Sequence, residues 1–180
     1  MANRAAANAN PNKDAPVSET FTFAMGEFVA EFPTDYLYAK NHMWALPLDA
    51  SAATSKTQTL RYHFGLTAYA VRLLQDVYFL EWVVDPHTLL TPRMSIGSIE
   101  SKKAESDLFS PIPGTLTAVN NEVLNDPSLI NADPYGAAWM IEIETTPDSV
   151  AILLSAAQYA EHLIEAWEVA QRTIKGQANT

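Results

Sequence analysis

The sequence predicts a mostly β body closed by one long terminal helix. Three observations carry that prediction. Short runs rich in β-branched and aromatic residues recur between Pro, Gly and Asn turn signals, "AWMIEIE" alternates apolar and charged positions, and an apolar stripe at helical spacing runs from Tyr159 to Ile174. With 180 residues, 48% of them hydrophobic, the chain holds enough apolar material for one substantial core and a single domain with additions.

Taken in order, "MANRAAANANPNKDAPVSE" lacks an apolar stretch and carries too little Arg and too much Asn for an organelle presequence, so residues 1–20 are expected to be a disordered tail. Phe21, Phe23, Phe28 and Phe32, closed by Pro33, predict an extension over 21–37 that lies on the body as a strand followed by a turn. "NHMWALPL" reads as a short strand, "DASAATSKTQ" as a polar connection, and "TLRYHFG" as a strand ended by Gly65. In "LTAYAVRLLQD", Thr67 has the chemistry of an N-cap, and Tyr69, Ala70, Leu73 and Leu74 form one face of a short helix. "VYFLEWVV" predicts a well-buried strand, stopped by Asp85-Pro86.

"MSIGSIE" and "ESDLF" then flank Lys102 and Lys103 as the arms of a hairpin whose turn lacks an Asn-Gly signature. A strand begins at Gly114 in "GTLTAV". "NNEVLNDPSLINADPYG" is a helical turn and loop punctuated by Pro127, Pro134 and Gly136, and "AWMIEIE" is a strand with Glu142 and Glu144 on a wet face. Ser155 and Gln158 have capping-box spacing, and Tyr159, Leu163, Ile164, Trp167, Ala170 and Ile174 mark the buried stripe of a helix ending at Gly176. Residues 148–176 are therefore expected to be a C-terminal helical segment.

Composition removes several function classes. Eleven Lys+Arg against 21 Asp+Glu give a net charge of -10, which opposes contact with nucleic acid or an anionic membrane. No apolar run reaches the roughly 18 residues needed for a span. The absence of cysteine excludes disulfides, thiolate metal sites and a cysteine nucleophile, and makes a reducing, cytoplasmic location the expectation. His42, His63, His87 and His162 are scattered; His162 with Glu165 shares a helical face but lacks a third ligand, so no metal site is expected. Neither a glycine-rich phosphate loop nor a G-x-S-x-G elbow is present. Glu100, Glu105 and Asp107 cluster at a wet tip, where water holds carboxylates near their ordinary pKa, so no catalytic residue is expected.

A lysine at a hairpin tip is ordinarily a solvated charge. Here the surrounding string "IESKKAESDLFSPIPG" resembles the lipoyl-attachment hairpin of the glycine cleavage H-protein family, E-S-V-K-A followed by small and acidic residues and then S-P-x-x-G. Glu100, Ser101, Lys103, Ala104, Asp107, Ser110, Pro111 and Gly114 fall on family positions, with Lys103 in the place of the modified lysine and Lys102 in the variable slot. Biotin hairpins bracket their lysine with methionines, which "SKKAE" lacks. "NHMW", "FGLTAYAVRLLQDVYFLEW" and "DPSLINADPYGAAWMIEI" are similar to further family segments, in order and spacing, from about Tyr38 to Ile143.

The resemblance implies a flattened barrel or sandwich of two antiparallel sheets with short edge helices, and a lipoyl-carrier domain over 38–147. It implies lipoate in amide linkage to Lys103, with Glu100, Ser101 and Ala104 around the attachment point. It also implies a shuttle that is not itself an enzyme, taking an aminomethyl group from glycine decarboxylase to aminomethyltransferase. A dihydrolipoamide dehydrogenase would reoxidise the arm, and a lipoate ligase or lipoyltransferase would attach it. A cleft that receives the loaded arm in the family would here involve His42, Asn131 and Tyr135, with Trp44 and Pro134 beside them. The chain departs from the family at Ala68, at Gln75, and at two glycine positions around His87 and Arg93, and bulkier residues at glycine positions predict reshaped turns. These departures leave two other readings: a lipoate carrier serving sulfur oxidation or lipoate relay, and an unmodified interaction module.

Overall fold

The computed structural model describes residues 18–49 and 58–178, the last five as backbone; most of the expected tail, the connection over 50–57 and the Ile174 side chain lie outside the described residues. The chain opens with an antiparallel hairpin, β1 (Thr20–Met25) and β2 (Phe28–Pro33), which turns at Gly26 with φ +69°. After β3 (Leu37–Tyr38), β4 (Met43–Pro47) and β5 (Leu60–Leu66) come the short helix α1 (Ala68–Leu74) and β6 (Val77–Trp82). β7 (Leu89–Leu90), β8 (Ser95–Ser101), β9 (Glu105–Phe109) and β10 (Gly114–Val119) follow, then α2 (Asn121–Asn125), α3 (Leu129–Ala132), β11 (Ile141–Thr145), α4 (Pro147–Val150) and α5 (Ala156–Ala178).

Two antiparallel sheets build the body, one six-stranded in the order β3-β4-β5-β11-β10-β7 and one three-stranded in the order β6-β8-β9. Period-two patterning explains how they meet. Ile141 and Ile143 on β11, Tyr62 and Phe64 on β5, and Leu116 on β10 point inward against Leu80, Ile96, Ile99 and Leu108 from the smaller sheet. Each such side chain stabilises by about 1.5–3 kcal/mol relative to exposure. Together they fix the β8–β9 hairpin to the body.

A second, largely aromatic cluster joins β1 and β2 to α5. Phe32, Tyr38, Trp44, Tyr69, Tyr159 and Leu163 are buried in it, with Tyr38 and Tyr159 stacked at 4.4 Å and Phe21 on Phe32 at 4.9 Å. Such ring pairs contribute about 0.5–1.5 kcal/mol beyond their buried area. The Tyr38 hydroxyl donates to the Pro33 carbonyl.

Several expectations change. The strand-and-turn extension is a complete two-stranded hairpin. Gly65 does not end its strand; it lies inside β5 because the Trp44 ring occupies the space a side chain would need, 2.6 Å from an added Cβ. β6 is half-solvated rather than well buried: it is the edge of its sheet, with Val77 and Leu80 inward and Tyr78 and Phe79 outward. Ile164 faces water, 55% exposed, since the 3.6-residue period carries it off the stripe set by Tyr159 and Leu163. α5 runs through Gly176 to Ala178. Gln75, His87 and Arg93, near positions where the resemblance expects glycine, have φ values of 63°, 73° and 61°, a conformation that glycine favours and that here carries a side chain. Among the described residues, no helix is long and apolar enough to cross a membrane.

Candidate functional site

The apex of the β8–β9 hairpin is a polar turn built around one hydroxyl. Ser101, 5% exposed, donates its Oγ–H to the Ala104 carbonyl at 3.0 Å and accepts from the backbone N–H groups of Lys103 and Ala104 at 3.3 and 3.2 Å. The Ser101 N–H also donates to the Ala104 carbonyl, at 2.9 Å. One buried serine thus fixes a tight turn without Asn-Gly chemistry. Lys102 and Lys103 are held differently by it. The Lys102 N–H donates to the Asp76 carbonyl at 2.9 Å, and its ammonium lies 3.8 Å from the exposed Asp76 carboxylate. Lys103 is exposed, and among the described residues its ammonium has no ion-pair partner.

The segment under Lys102 is itself clamped. Asn131 Nδ2 donates to the Gln75 carbonyl at 2.7 Å, while its Oδ1 accepts from the Val77 N–H at 2.9 Å. A side chain of α3 therefore sets Gln75–Asp76–Val77, and Asp76 is bonded to the apex through Lys102. Glu100 and Glu105 are paired across the two strands, and Asp107 is paired with Ser98, so carboxylates gather below the lysine. Like charges placed opposite one another on a sheet are mildly destabilising, by about 0.2–1 kcal/mol. Ser110 serves elsewhere: its hydroxyl donates to the Ile112 carbonyl at 2.7 Å and holds the turn after β9.

Of the residues expected to line a cleft, His42, Tyr135 and Trp44 are engaged by neighbouring rings and backbone groups. The His42 ring packs against Tyr69 at 4.5 Å and His162 at 5.3 Å, and its Nδ1 lies 2.9 Å from the Tyr159 hydroxyl. That hydroxyl also meets Thr67 Oγ1 at 3.0 Å. Tyr135 accepts from the Ala68 N–H at 2.9 Å, and its own carbonyl accepts from the Tyr36 hydroxyl. Trp44 Nε1 donates to the Pro134 carbonyl at 2.8 Å. Tyr159 of α5 covers His42, and the stripe that contained Tyr159 gave no sign of this polar partnership. Burial drives the Tyr159 phenol well above its ordinary pKa.

Burial, reinforced by neighbouring His162, also lowers His42 to about 4. The unfolded chain, titrating near 6.5, binds the proton first, so stability is intact above that pH and falls as pH drops from about 6.5 to 4. Between pH 7.5 and 4.5 the His42 contribution amounts to about 2–3 kcal/mol. Urea unfolding at the two pH values, in the parent chain and in His42→Gln, should show a shallower pH dependence in the variant by that amount.

Beside Lys103 lies a cavity of about 160 Å³, lined by Met25, Arg72, Leu73, Gln75, Lys103 and Trp167. An adjoining groove of about 460 Å³ shares Arg72 and Gln75 and extends to Asn131 and Pro134. Sequence patterning did not join these residues, because they come from the hairpin turn, the end of α1 and the middle of α5.

The glycine cleavage H-protein family profile matches residues 38–166. The chain is 38% identical over 128 residues to the glycine cleavage system H protein of Beutenbergia cavernae, covering 71% of this chain and 93% of that protein. It is 38% identical over 135 residues to that of Koribacter versatilis, covering 74% and 95%. A crystal structure of a glycine cleavage system H protein from Mycobacterium marinum is similar with a TM-score of 0.59 and 32% identity, covering 72% of this chain and 97% of that one.

Proposed function

The chain belongs to the glycine cleavage H-protein family, and from that premise we propose that Lys103 carries a lipoyl group in amide linkage and works as a shuttle between enzymes. The observation that carries this reading is the apex itself: a tight turn pinned by Ser101, from which one exposed lysine projects without an ion-pair partner among the described residues. Acylation costs little there, because no ion pair is lost. Lys102 is distinguished from Lys103 by its backbone bond to Asp76 and by an ammonium that lies 3.8 Å from the Asp76 carboxylate.

When attached, the group supplies a disulfide that can be reduced and loaded, chemistry the cysteine-free chain cannot provide. The chain's own residues do the rest. Ser101 and Ala104 fix the direction of the tether, Asn131 and Asp76 brace it, and Glu100, Glu105 and Asp107 give a lipoate ligase or lipoyltransferase a charged collar to read. Tethering raises the local concentration of the carried group at each docked enzyme without a catalytic residue in the carrier. In this role the chain transfers an aminomethyl group from glycine decarboxylase to aminomethyltransferase in the cytoplasm, and a dihydrolipoamide dehydrogenase reoxidises it. Exchange of labelled bicarbonate into glycine by glycine decarboxylase tests this. The lipoylated chain should support exchange and Lys103→Arg should not, whereas a fully lipoylated sample that supports none assigns the arm to another pathway.

A further inference from the structure

We propose that a separate cavity, at the end of the β8–β9 hairpin away from Lys103, binds a small aromatic carboxylate. The cavity, of about 590 Å³, is enclosed by the turn between β3 and β4, the turn before β8, the segment after β9 and the segment after α4. Its apolar floor is buried, with Ala39, Ile112 and Leu153 in it, and Phe109 and Ile152 form an exposed rim. Pro92, Pro111 and Pro113 add three pyrrolidine rings to the walls. Proline and aromatic rings are mutual partners in recognition, so such walls suit a flat aromatic ring.

The charge at the cavity selects an anion. The chain has 21 Asp+Glu against 11 Lys+Arg, yet among the described residues the cavity is lined by Lys40 and Arg93 and by no acid. Both side chains are exposed, and neither cation has an ion-pair partner among the described residues. A carboxylate seated there supplies the missing counter-charge. Arg93 adds a second reason. It follows Pro92 in a turn closed by the Met94 N–H on the Thr91 carbonyl at 3.1 Å, and its φ of 61° is a conformation that the third position of such a turn reserves for glycine. An arginine kept where the backbone disfavours any side chain is accounted for by an anion that its guanidinium contacts.

The site is also preformed. Asn41 Nδ2 donates to the Phe109 carbonyl at 3.0 Å, the Ser110 N–H donates to the Met94 carbonyl at 2.8 Å, and Tyr38 and Leu154 exchange backbone bonds at 2.9 and 2.7 Å. These bonds tie the four walls together, so binding orders little of the chain. Phe109 pairs with Ser95, at the end of the hairpin opposite the apex. The ligand therefore leaves Lys103 free, and the inference stands whether or not that lysine is lipoylated.

Titration of the isotope-labelled full chain with phenylbutyrate at low ionic strength, followed by amide chemical shifts, tests the site. Saturable shifts should centre on Lys40, Asn41, Arg93, Phe109 and Ile112. Phenylbutanol, with the same ring and no charge, should bind at least about tenfold more weakly, and Lys40→Gln and Arg93→Gly should each weaken phenylbutyrate about fivefold. Arg93→Gly relaxes the turn and should melt no lower than the parent, so its effect cannot be ascribed to unfolding. Arg172→Gln, which removes an exposed cation from α5, should leave the affinity unchanged. Equal affinity for acid and alcohol, shifts that spread over the surface without saturating, or full affinity in both cavity variants overturns the site. A peptide ending in phenylalanine carries the same ring and carboxylate, so acetyl-Ala-Ala-Phe is titrated in parallel. Its binding more tightly than phenylbutyrate overturns the small acid and assigns the cavity to the C-terminus of a partner protein.

Discussion

Lys103→Arg is expected to fold and melt like the parent and to take up no lipoyl group at all, while Lys102→Arg is lipoylated to completion. The guanidinium retains the positive charge but offers no amine nucleophile at neutral pH. Because the Lys103 ammonium makes no ion pair among the described residues, its replacement leaves no buried or paired group behind, and the stability change should stay within about 0.5 kcal/mol. At position 102 the bond to Asp76 runs through the backbone, so the turn survives the substitution. Incubation with lipoate, ATP and a ligase, followed by intact mass, separates the two variants. Lipoylation of Lys103→Arg at another residue would show that apex geometry does not select the amine.

Gly97→Ala is expected to have the largest effect on stability, a loss of about 3–5 kcal/mol that removes the carrier sheet from the body. Gly97 lies on β8 opposite Trp82 of β6. A Cβ there would fall inside contact distance of the Glu81 carbonyl oxygen and 3.0 Å from the Trp82 ring. Backbone cannot yield to it as a flexible side chain would, so relief requires parting β6 from β8 and exposing Leu80, Ile96 and Ile99. Gly26→Ala provides the comparison. An added Cβ at Gly26 meets nothing within 4 Å, and only its φ of +69° opposes the change, which should cost about 1–2 kcal/mol. Urea midpoints of the two variants should differ in that order, and an unchanged midpoint for Gly97→Ala would contradict the packing described for the two sheets.

Much of this architecture was legible because it depends on local chemistry. The arms around Lys103, the alternation at Ile141–Glu144 and the Thr67 cap each follow from spacing along the chain, and the Thr67 Oγ1 accepts from the Ala70 N–H as the cap chemistry requires. The exposure of Tyr78 and Phe79 was not legible, because residue type does not distinguish an edge strand from a central one. At Gln75, His87 and Arg93 residue type gave no hint of the positive φ that each adopts. Around the apex, Ser101 was named from its motif and has a local explanation. Asn131, expected beside a cleft, borders the groove next to Lys103 and also clamps Gln75 and Val77, a long-range bond that no spacing rule predicts. The cavity beside Lys103 was hidden most completely, since Met25 and Trp167 are separated by most of the chain.

Peptide mapping of the protein isolated from its native host tests the central claim most directly. The account predicts a lipoyl adduct on the Lys103 amine, with Lys102 unmodified in the same peptide. A chain that carries no adduct when its host is supplied with lipoate, or carries it on Lys102, would contradict it.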